Sequence, residues 1–416
     1  MKKVVVIGGG IMGLSSAFYL QQAGYAVTVL EKDNFTDNCS FGNAGYVCPS
    51  HFVPLAAPGI VTQGLKWMFN NKSPFYVKPS LNKALIQWGW NFMRSATKKN
   101  VDAAAVPLRD ISLLSQQEYK AWSALPGFDF AYEHKGMLEI FQTEAVGAHA
   151  HHTVQKSNAL GLDAVLLNAD ELQQLEPQTK IHALGAIFFK CDAHVYPDKL
   201  MRILLHHLKQ QDVALQPNEQ AIAFEYNQAQ ITKVRTAQNV YDADAVVIAT
   251  GSWSREIAAL AGVNIPLMPG RGYSVTLEDA PYQVNHPAIL AEGRVAITPM
   301  DGNKIRFGGT MEVVPTNTPP QYHRVEGILK SVKDFFPEFD IPVPPNNEIW
   351  YGYRPCSADG LPYIGRAGKY TNLIVATGHS MMGLSLGAGT GKLVKELLNE
   401  EPLSINIDAF AVERFA

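Results

Sequence analysis

The clearest pattern of apolar and polar positions lies at the start of the chain. Lys3–Ile7 is a short β-branched run, the pattern of a strand covered on both faces in a parallel sheet. It runs into Gly8-Gly9-Gly10-Ile11-Met12-Gly13, after which Leu14, Ala17, Phe18 and Leu20 recur at helical spacing until Gly24. Tyr25–Leu30 then reads as a second strand closing on Glu31. A similar unit recurs near the C-terminus. Asn372–Ala376 predicts a strand, Thr377–Ser385 a glycine-containing loop, and the small-residue stretch from about Leu386 to Leu398 a helix. Ala245–Ala249 predicts a further buried strand, closed by Thr250-Gly251. Val275–Leu277 and Ile305–Gly309 read as strands of another sheet. Strands alternating with helices in this way indicate an α/β class.

The glycines of the first turn each have a mechanical reason. Gly8 permits the tight turn, Gly10 lets backbone approach a pyrophosphate, and Gly13 lets the helix pack closely on the strand. The helix N-terminus would then face the phosphates with its partial positive charge. Glu31 is placed to accept hydrogen bonds from a ribose diol, and its charge disfavours a 2′-phosphate. The fingerprint serves NAD and FAD alike. The distant second glycine loop favours FAD, because a C-terminal helix returning to the cofactor suits an isoalloxazine whose reduced form carries negative charge.

Length and composition narrow the setting. At 416 residues the chain exceeds one ordinary core, so two domains are expected. A net charge of −3 gives no general attraction to nucleic acid. Cys39, Cys48, Cys191 and Cys356 include no CxxC pair, which argues against a metal site or a disulfide framework and suits a reducing cytoplasm. The Met-Lys-Lys start resembles a signal peptide only until Gly8–Gly10 break the apolar run. No stretch approaches 18 uninterrupted apolar residues, so no membrane-spanning helix is expected. In and just after Ile60–Phe92, Trp67, Met68, Phe69, Trp88, Trp90, Phe92 and Met93 are interleaved with Lys66, Lys72, Lys78, Lys83 and Arg94. This pattern fits either a helix pair with buried aromatics or an amphipathic surface on the inner face of the cell membrane. The pattern favours the buried pair.

Several longer stretches carry a resemblance. These are Ser40–Gly45 with Pro54–Gly59, Lys66–Phe69, Gly272–Ser274, Gly352–Pro355 with Ala358–Pro362, and Thr377–His379. In these stretches the chain resembles the D-amino-acid oxidase superfamily of flavoproteins, and most of all the bacterial D-amino acid dehydrogenase small-subunit group. The resemblance implies non-covalent FAD and hydride transfer from the substrate Cα to flavin N5. It also implies a Rossmann-like FAD domain (residues 1–50, 175–260 and 346–416) interleaved with an α+β substrate cap on a mixed sheet (51–174 and 261–345). Beyond Gly8, Gly10, Ile11, Met12, Gly13 and Glu31, it extends the cofactor-binding set to Lys32, Ser40, Asn43, Ala44, Gly45, Ala221, Ala249, Thr250, Gly251 and Trp253. Near the C-terminus it adds Gly378, His379, Met382, Gly383, Leu384 and Ser385.

The implied substrate is a small D-amino or D-imino acid, such as a proline or hydroxyproline isomer. Its carboxylate calls for a planar, bidentate arginine, and the resemblance points to Arg354, which would also contact the cofactor. Tyr273, with Tyr353 behind it, is a candidate to bind the carboxylate or cap the site. His379 is a candidate to touch the flavin. His51 stands where the resemblance suggests an aromatic or small residue, and it is a candidate for recognising a ring nitrogen or hydroxyl. Cys356 invites comparison with covalent flavin attachment, but its Arg-Pro context matches the non-covalent branch. Alternative readings are an oxidase or dehydrogenase for glycine, sarcosine or L-proline, and a non-catalytic FAD relay subunit. Quinone or another acceptor would receive the electrons. No nucleophile elbow supports hydrolysis, and the oligomeric state stays open.

Overall fold

The computed structural model describes residues 1–59, 75–77 and 82–415. Lys66–Phe69, Lys72 and Lys78 therefore lie outside the described residues. The central strand is Lys3–Ile7, as its uninterrupted apolar pattern predicts, with Val4, Val5 and Val6 fully buried. It pairs in parallel with Ala26–Leu30 on one side and Ala245–Ile248 on the other. The six-stranded sheet runs Tyr363–Arg366, Leu373–Thr377, Ala245–Ile248, Lys3–Ile7, Ala26–Leu30, Ala214–Gln216, antiparallel only at its first pair.

The helices Ile11–Gln22, Pro197–Gln210 and Gly383–Asn399 cover one face of this sheet. The small residues of Gly383–Asn399 have a packing reason. A Cβ on Gly387 would lie 2.6 Å from Ile11 Cγ1, and one on Gly391 would lie 2.5 Å from the Ser15 carbonyl carbon. The other face packs against a three-stranded antiparallel sheet through Phe224, Ile231 and Val234.

A second, mixed sheet of nine strands forms the cap, as expected. Its order is Trp350–Ser357, Leu267–Leu277, Lys304–Val313, Val295–Met300, Ala288–Leu290, Met137–Phe141, Gly185–Phe189, Ala164–Asn168, with Phe75–Val77 beside Lys304–Val313. Two of these strands, Gly185–Phe189 and Trp350–Ser357, fall within stretches that the sequence assigned to the FAD domain. Their backbones pair with cap strands, Gly185–Phe189 with Met137–Phe141 and Trp350–Ser357 with Leu267–Leu277. Pro266–Gly272, whose proline and glycines suggest a break near the 260/261 domain boundary, largely continues as strand, because its register with Arg354–Ser357 leaves no break. The helix Lys98–Ser123, within the predicted cap, packs instead on Gly383–Asn399, where Tyr119 Oη donates to Leu384 O at 2.6 Å. None of the described helices is long and apolar enough to cross a membrane.

Candidate active site

Where the two sheets meet, a cavity of about 720 Å³ runs from the glycine turn to the first turn of Gly383–Asn399. At its first end Gly8 adopts φ +114°, and a Cβ there would lie 2.5 Å from Ala249 O. Only glycine has that conformation and clearance. Gly13 does not line the cavity; a Cβ on it would lie 1.8 Å from Gly8 O, so it fixes the helix onto the turn. Glu31 Oε2 accepts from Gly9 N at 2.7 Å, and Oε1 accepts from Asp33 N at 3.2 Å. Ser40 Oγ accepts from Ile11 N at 3.0 Å. Lys32 Nζ sits 4.3 Å from the centre of the Trp253 ring. Gly10, Ile11, Met12, Asn43, Ala221, Ala249, Thr250 and Gly251 also line this half.

The other half is built on Trp350–Ser357. Arg354 lines the cavity, and its Nη1 donates to Thr310 O at 2.6 Å. Burial lowers its pKa, partly opposed by Cys356. No carboxylate among the described residues forms an ion pair with it. Such an arginine is electrostatically incomplete until an anion arrives. Gly272 is what makes room for it, since a Cβ there would lie 2.2 Å from Arg354 Nη1. Trp350 is accommodated in the same way: its ring would meet a Cβ on Gly42 at 2.1 Å and one on Gly352 at 2.3 Å.

His379 also lines the cavity. Its Nε2 pairs with Thr390 Oγ1 at 3.0 Å, whereas Nδ1 is buried without a partner. Burial pushes its pKa down to about 3, so the ring is neutral. Ser252 and Glu219, which also line the cavity, each carry another buried, unpartnered polar atom. Orphan groups of this kind, gathered on one cavity, call for a polar ligand.

Other candidates are placed elsewhere. Tyr273 is fully buried away from the cavity: its hydroxyl donates to Glu312 Oε2 at 2.8 Å and accepts from Gln321 N at 2.6 Å. Its hydrogen-bonding capacity is committed, which corrects the expectation that it meets substrate. Glu312 also pairs with Arg271 at 2.7 Å and Arg324 at 2.6 Å, making one buried ionic cluster behind the wall. Tyr353 lines the cavity, but its hydroxyl donates to Thr316 O at 2.7 Å. His51 lies outside the cavity lining, so recognition of a substrate ring there is also corrected. Ala44, Gly45, Gly378, Met382 and Ser385 stand behind the lining. Gly45 and Gly378, at φ +82° and +79°, shape the turns that support it, and Ser385 Oγ accepts from Cys48 N at 3.0 Å. Leu384 and Gly383 do line it. Cys356 is buried beside Met311, off the cavity, with burial raising its pKa to about 12.

Trp350, Tyr351 and Tyr322 were missed. The first two directly precede the Gly-Tyr-Arg-Pro stretch, and that run of aromatic residues was the available signal. Tyr322 comes from the loop before Arg324–Phe335, which nothing local connects to the site.

The chain matches the family model of the FAD dependent oxidoreductases (DAO) over residues 3–397. It is 32% identical to a D-amino acid dehydrogenase of Neisseria meningitidis, covering 99% of each chain. It is 30% identical to one of Helicobacter pylori, covering 100% of this chain and 99% of that one. Among solved structures, glycine oxidase from Geobacillus kaustophilus superposes with a TM-score of 0.78 at 20% identity, over 100% of this chain and 99% of that one. L-Proline dehydrogenase from P. horikoshii gives 0.77 at 20% identity, over 100% and 97%. The donor set of the cavity fits FAD, since the glycine turn, the Glu31 carboxylate and unpartnered polar atoms of Ser252 and His379 all border it.

Proposed function

Because the chain belongs to the DAO family of FAD-dependent oxidoreductases, we propose that it oxidises the Cα–N bond of a small D-amino or D-imino acid to the imino product. The observation that carries this reading is Arg354, a guanidinium on the cavity wall that forms no ion pair with a described residue. When bound, FAD supplies the acceptor for the hydride leaving Cα.

The protein's part is placement. Arg354 holds the substrate carboxylate through its planar fork, which lies in the space left by Gly272 and is fixed from behind by Thr310 O. Trp350 and Tyr351 wall the space beside it and exclude water. His379, kept neutral by burial, places a polar nitrogen in the wall without adding charge. The D configuration rests on the names of the relatives from Neisseria and Helicobacter.

The test is anaerobic reduction of the FAD-loaded protein by a panel of D- and L-amino acids, prolines, glycine and sarcosine. Bleaching by D-amino or D-imino acids is the expected result. Selective bleaching by glycine, sarcosine or L-proline would replace the substrate, and no bleaching by any of them would support a relay subunit. Readmitting air then separates oxygen from quinone or another acceptor.

A membrane-surface setting at the inner face of the cell membrane belongs to the same reading. On the helix Lys83–Ser95, Trp88 and Phe92 are buried as a stacked pair, as expected of a cap helix. Ile86, Trp90 and Met93 form an exposed apolar stripe at spacing i, i+4, i+7, with Lys83, Arg94, Lys98 and Lys99 exposed around it. An apolar stripe edged by cations suits an anionic lipid surface, where a quinone acceptor would be reached.

A further inference from the structure

The histidine left outside the cavity belongs to a second polar cluster. Cys48 and His51 sit on one turn, closed by His51 N donating to Cys48 O at 3.2 Å. Cys191 and Asp192 sit on the turn between Gly185–Phe189 and Ala193–His194. The thiol of Cys48, a ring nitrogen of His51 and a carboxylate oxygen of Asp192 all lie within 4.8 Å of one another. Cys191 Sγ is 3.5 Å from Asp192 Oδ1. None of the four lines the cavity.

Asp192 and Cys48 are both fully buried. The partners of the Asp192 carboxylate are all neutral: Ser50 N at 3.1 Å, Ser50 Oγ at 2.5 Å, and the neighbouring thiols. No lysine or arginine among the described residues forms an ion pair with it. A carboxylate buried without a cation is costly, and burial raises its pKa to about 6. Burial likewise pushes His51 down to about 4, keeping the imidazole in its neutral, ligating form.

We propose that Cys48, His51 and Asp192, with Cys191 as the fourth ligand, bind a thiophilic divalent cation of the Zn²⁺ class. Two sulfurs, an imidazole and a carboxylate are a donor set that favours tetrahedral zinc over magnesium or calcium. Ligand atoms of tetrahedral zinc lie about 3.3–3.8 Å apart, so the Cys48, His51 and Asp192 atoms need to close by only about 1 Å, while Cys191 Sγ, 3.5 Å from Asp192 Oδ1, turns in from beside that carboxylate. Binding releases the thiol protons and supplies the cation that Asp192 lacks. The sequence hid this site because its halves lie some 140 residues apart, one a Cys-x-x-His and the other a Cys-Asp pair. The metal would tie the cap to the cavity wall. Tyr46–Val47 pairs with Ala193–His194, and Cys48 N donates to Ser385 Oγ on the helix that borders the cavity.

The test uses the FAD-loaded full chain, stripped with a chelator and titrated with Zn²⁺ while bound metal and released protons are measured. The expected result is one equivalent per chain, together with a saturating rise in Tm. Co²⁺ loading should give tetrahedral ligand-field bands to the red of the flavin absorption. His51→Ala and the isosteric Asp192→Asn should each weaken binding at least tenfold. FAD content, measured in parallel, shows that the fold is intact, and His51, the ligand of the three that is not fully buried, provides the variant least able to disturb it. Absence of stoichiometric binding would overturn the site. So would zinc retained in His51→Ala and Cys48→Ser but lost on replacing the exposed His149, His151 and His152.

Discussion

Gly272 and Arg354 occupy one volume: a Cβ on the glycine would lie 2.2 Å from Nη1 and 2.4 Å from Cζ of the guanidinium. The two residues come from paired antiparallel strands, Leu267–Leu277 and Trp350–Ser357, with Gly270 opposite Arg354 and Gly272 opposite Gly352. Gly272→Ala should therefore push the guanidinium off Thr310 O while leaving the glycine turn, some distance away, intact. A charge-assisted bond is worth about 1.5–3 kcal/mol, so kcat/KM for a carboxylate substrate should fall about 10- to 100-fold with FAD content unchanged. Arg354→Lys should fall similarly, because a single ammonium cannot reproduce the fork. Steady-state kinetics on both variants checks this, and wild-type KM in Gly272→Ala would refute the steric argument.

The hydroxyl of Tyr273 belongs to the Glu312 cluster and not to the substrate. Tyr273→Phe should lower stability by about 1–3 kcal/mol, since Glu312 and Gln321 N each lose a buried partner. Substrate KM should change by less than threefold. Denaturant unfolding and kinetics on the same preparation separate the two effects. A large KM increase at unchanged stability would return Tyr273 to the substrate site. Glu312→Gln should be worse, by about 3–5 kcal/mol, because it leaves Arg271 and Arg324 buried beside a neutral group.

The contrast between these residues marks how far sequence carries. The glycine turn and Glu31 are legible because strand, turn, helix and acid are consecutive, so local pattern fixes their geometry. Arg354 is legible from a compact motif. Tyr273 is not, because its partner Glu312 lies on a neighbouring strand, opposite Arg271 in the ladder, and a register of that kind leaves no local trace. The same holds for Gly185–Phe189 and Trp350–Ser357, readable as strands but not as members of the cap sheet. His51 stood out in the sequence, yet its neighbour Asp192, with Cys191 beside it, is brought to it only by the fold.

Acid should destabilise the enzyme through its buried histidines. Burial lowers His379 to about 3 and His194 to about 4 from an ordinary value of 6.5. Their stabilising contribution is complete above 6.5 and is lost as pH falls towards those lowered values. At one pH unit below 6.5 each has lost about 1 kcal/mol. Asp192 runs the other way: raised from 3.8 to about 6, it favours the fold at low pH and loses that contribution as pH rises through 6. In the metal-free protein these two histidines, joined by His51, which burial lowers to about 4, outweigh the one carboxylate between pH 7.5 and 5.5, so stability should fall across that range. His379→Gln and His194→Gln should each flatten the slope. A slope unchanged in both variants would place the acid sensitivity elsewhere.

The exposed stripe on Lys83–Ser95 should bring the enzyme to anionic lipid. Ile86, Trp90 and Met93 are 57%, 59% and 52% exposed, unusual for three large apolar side chains on one helix face. Transferring one such side chain into the interface is worth roughly 1.5–3 kcal/mol, and each nearby lysine or arginine adds about 1 kcal/mol at an anionic surface. Trp90→Ser should therefore weaken binding to phosphatidylserine-containing vesicles about tenfold. Neutral vesicles or high salt should weaken the wild type as well, because the basic residues act by charge. Activity with a soluble dye acceptor should stay at the wild-type level, since none of these residues lines the cavity. Vesicle co-sedimentation measures the binding. Equal partitioning of Trp90→Ser and wild type would leave the stripe with no role at a lipid surface.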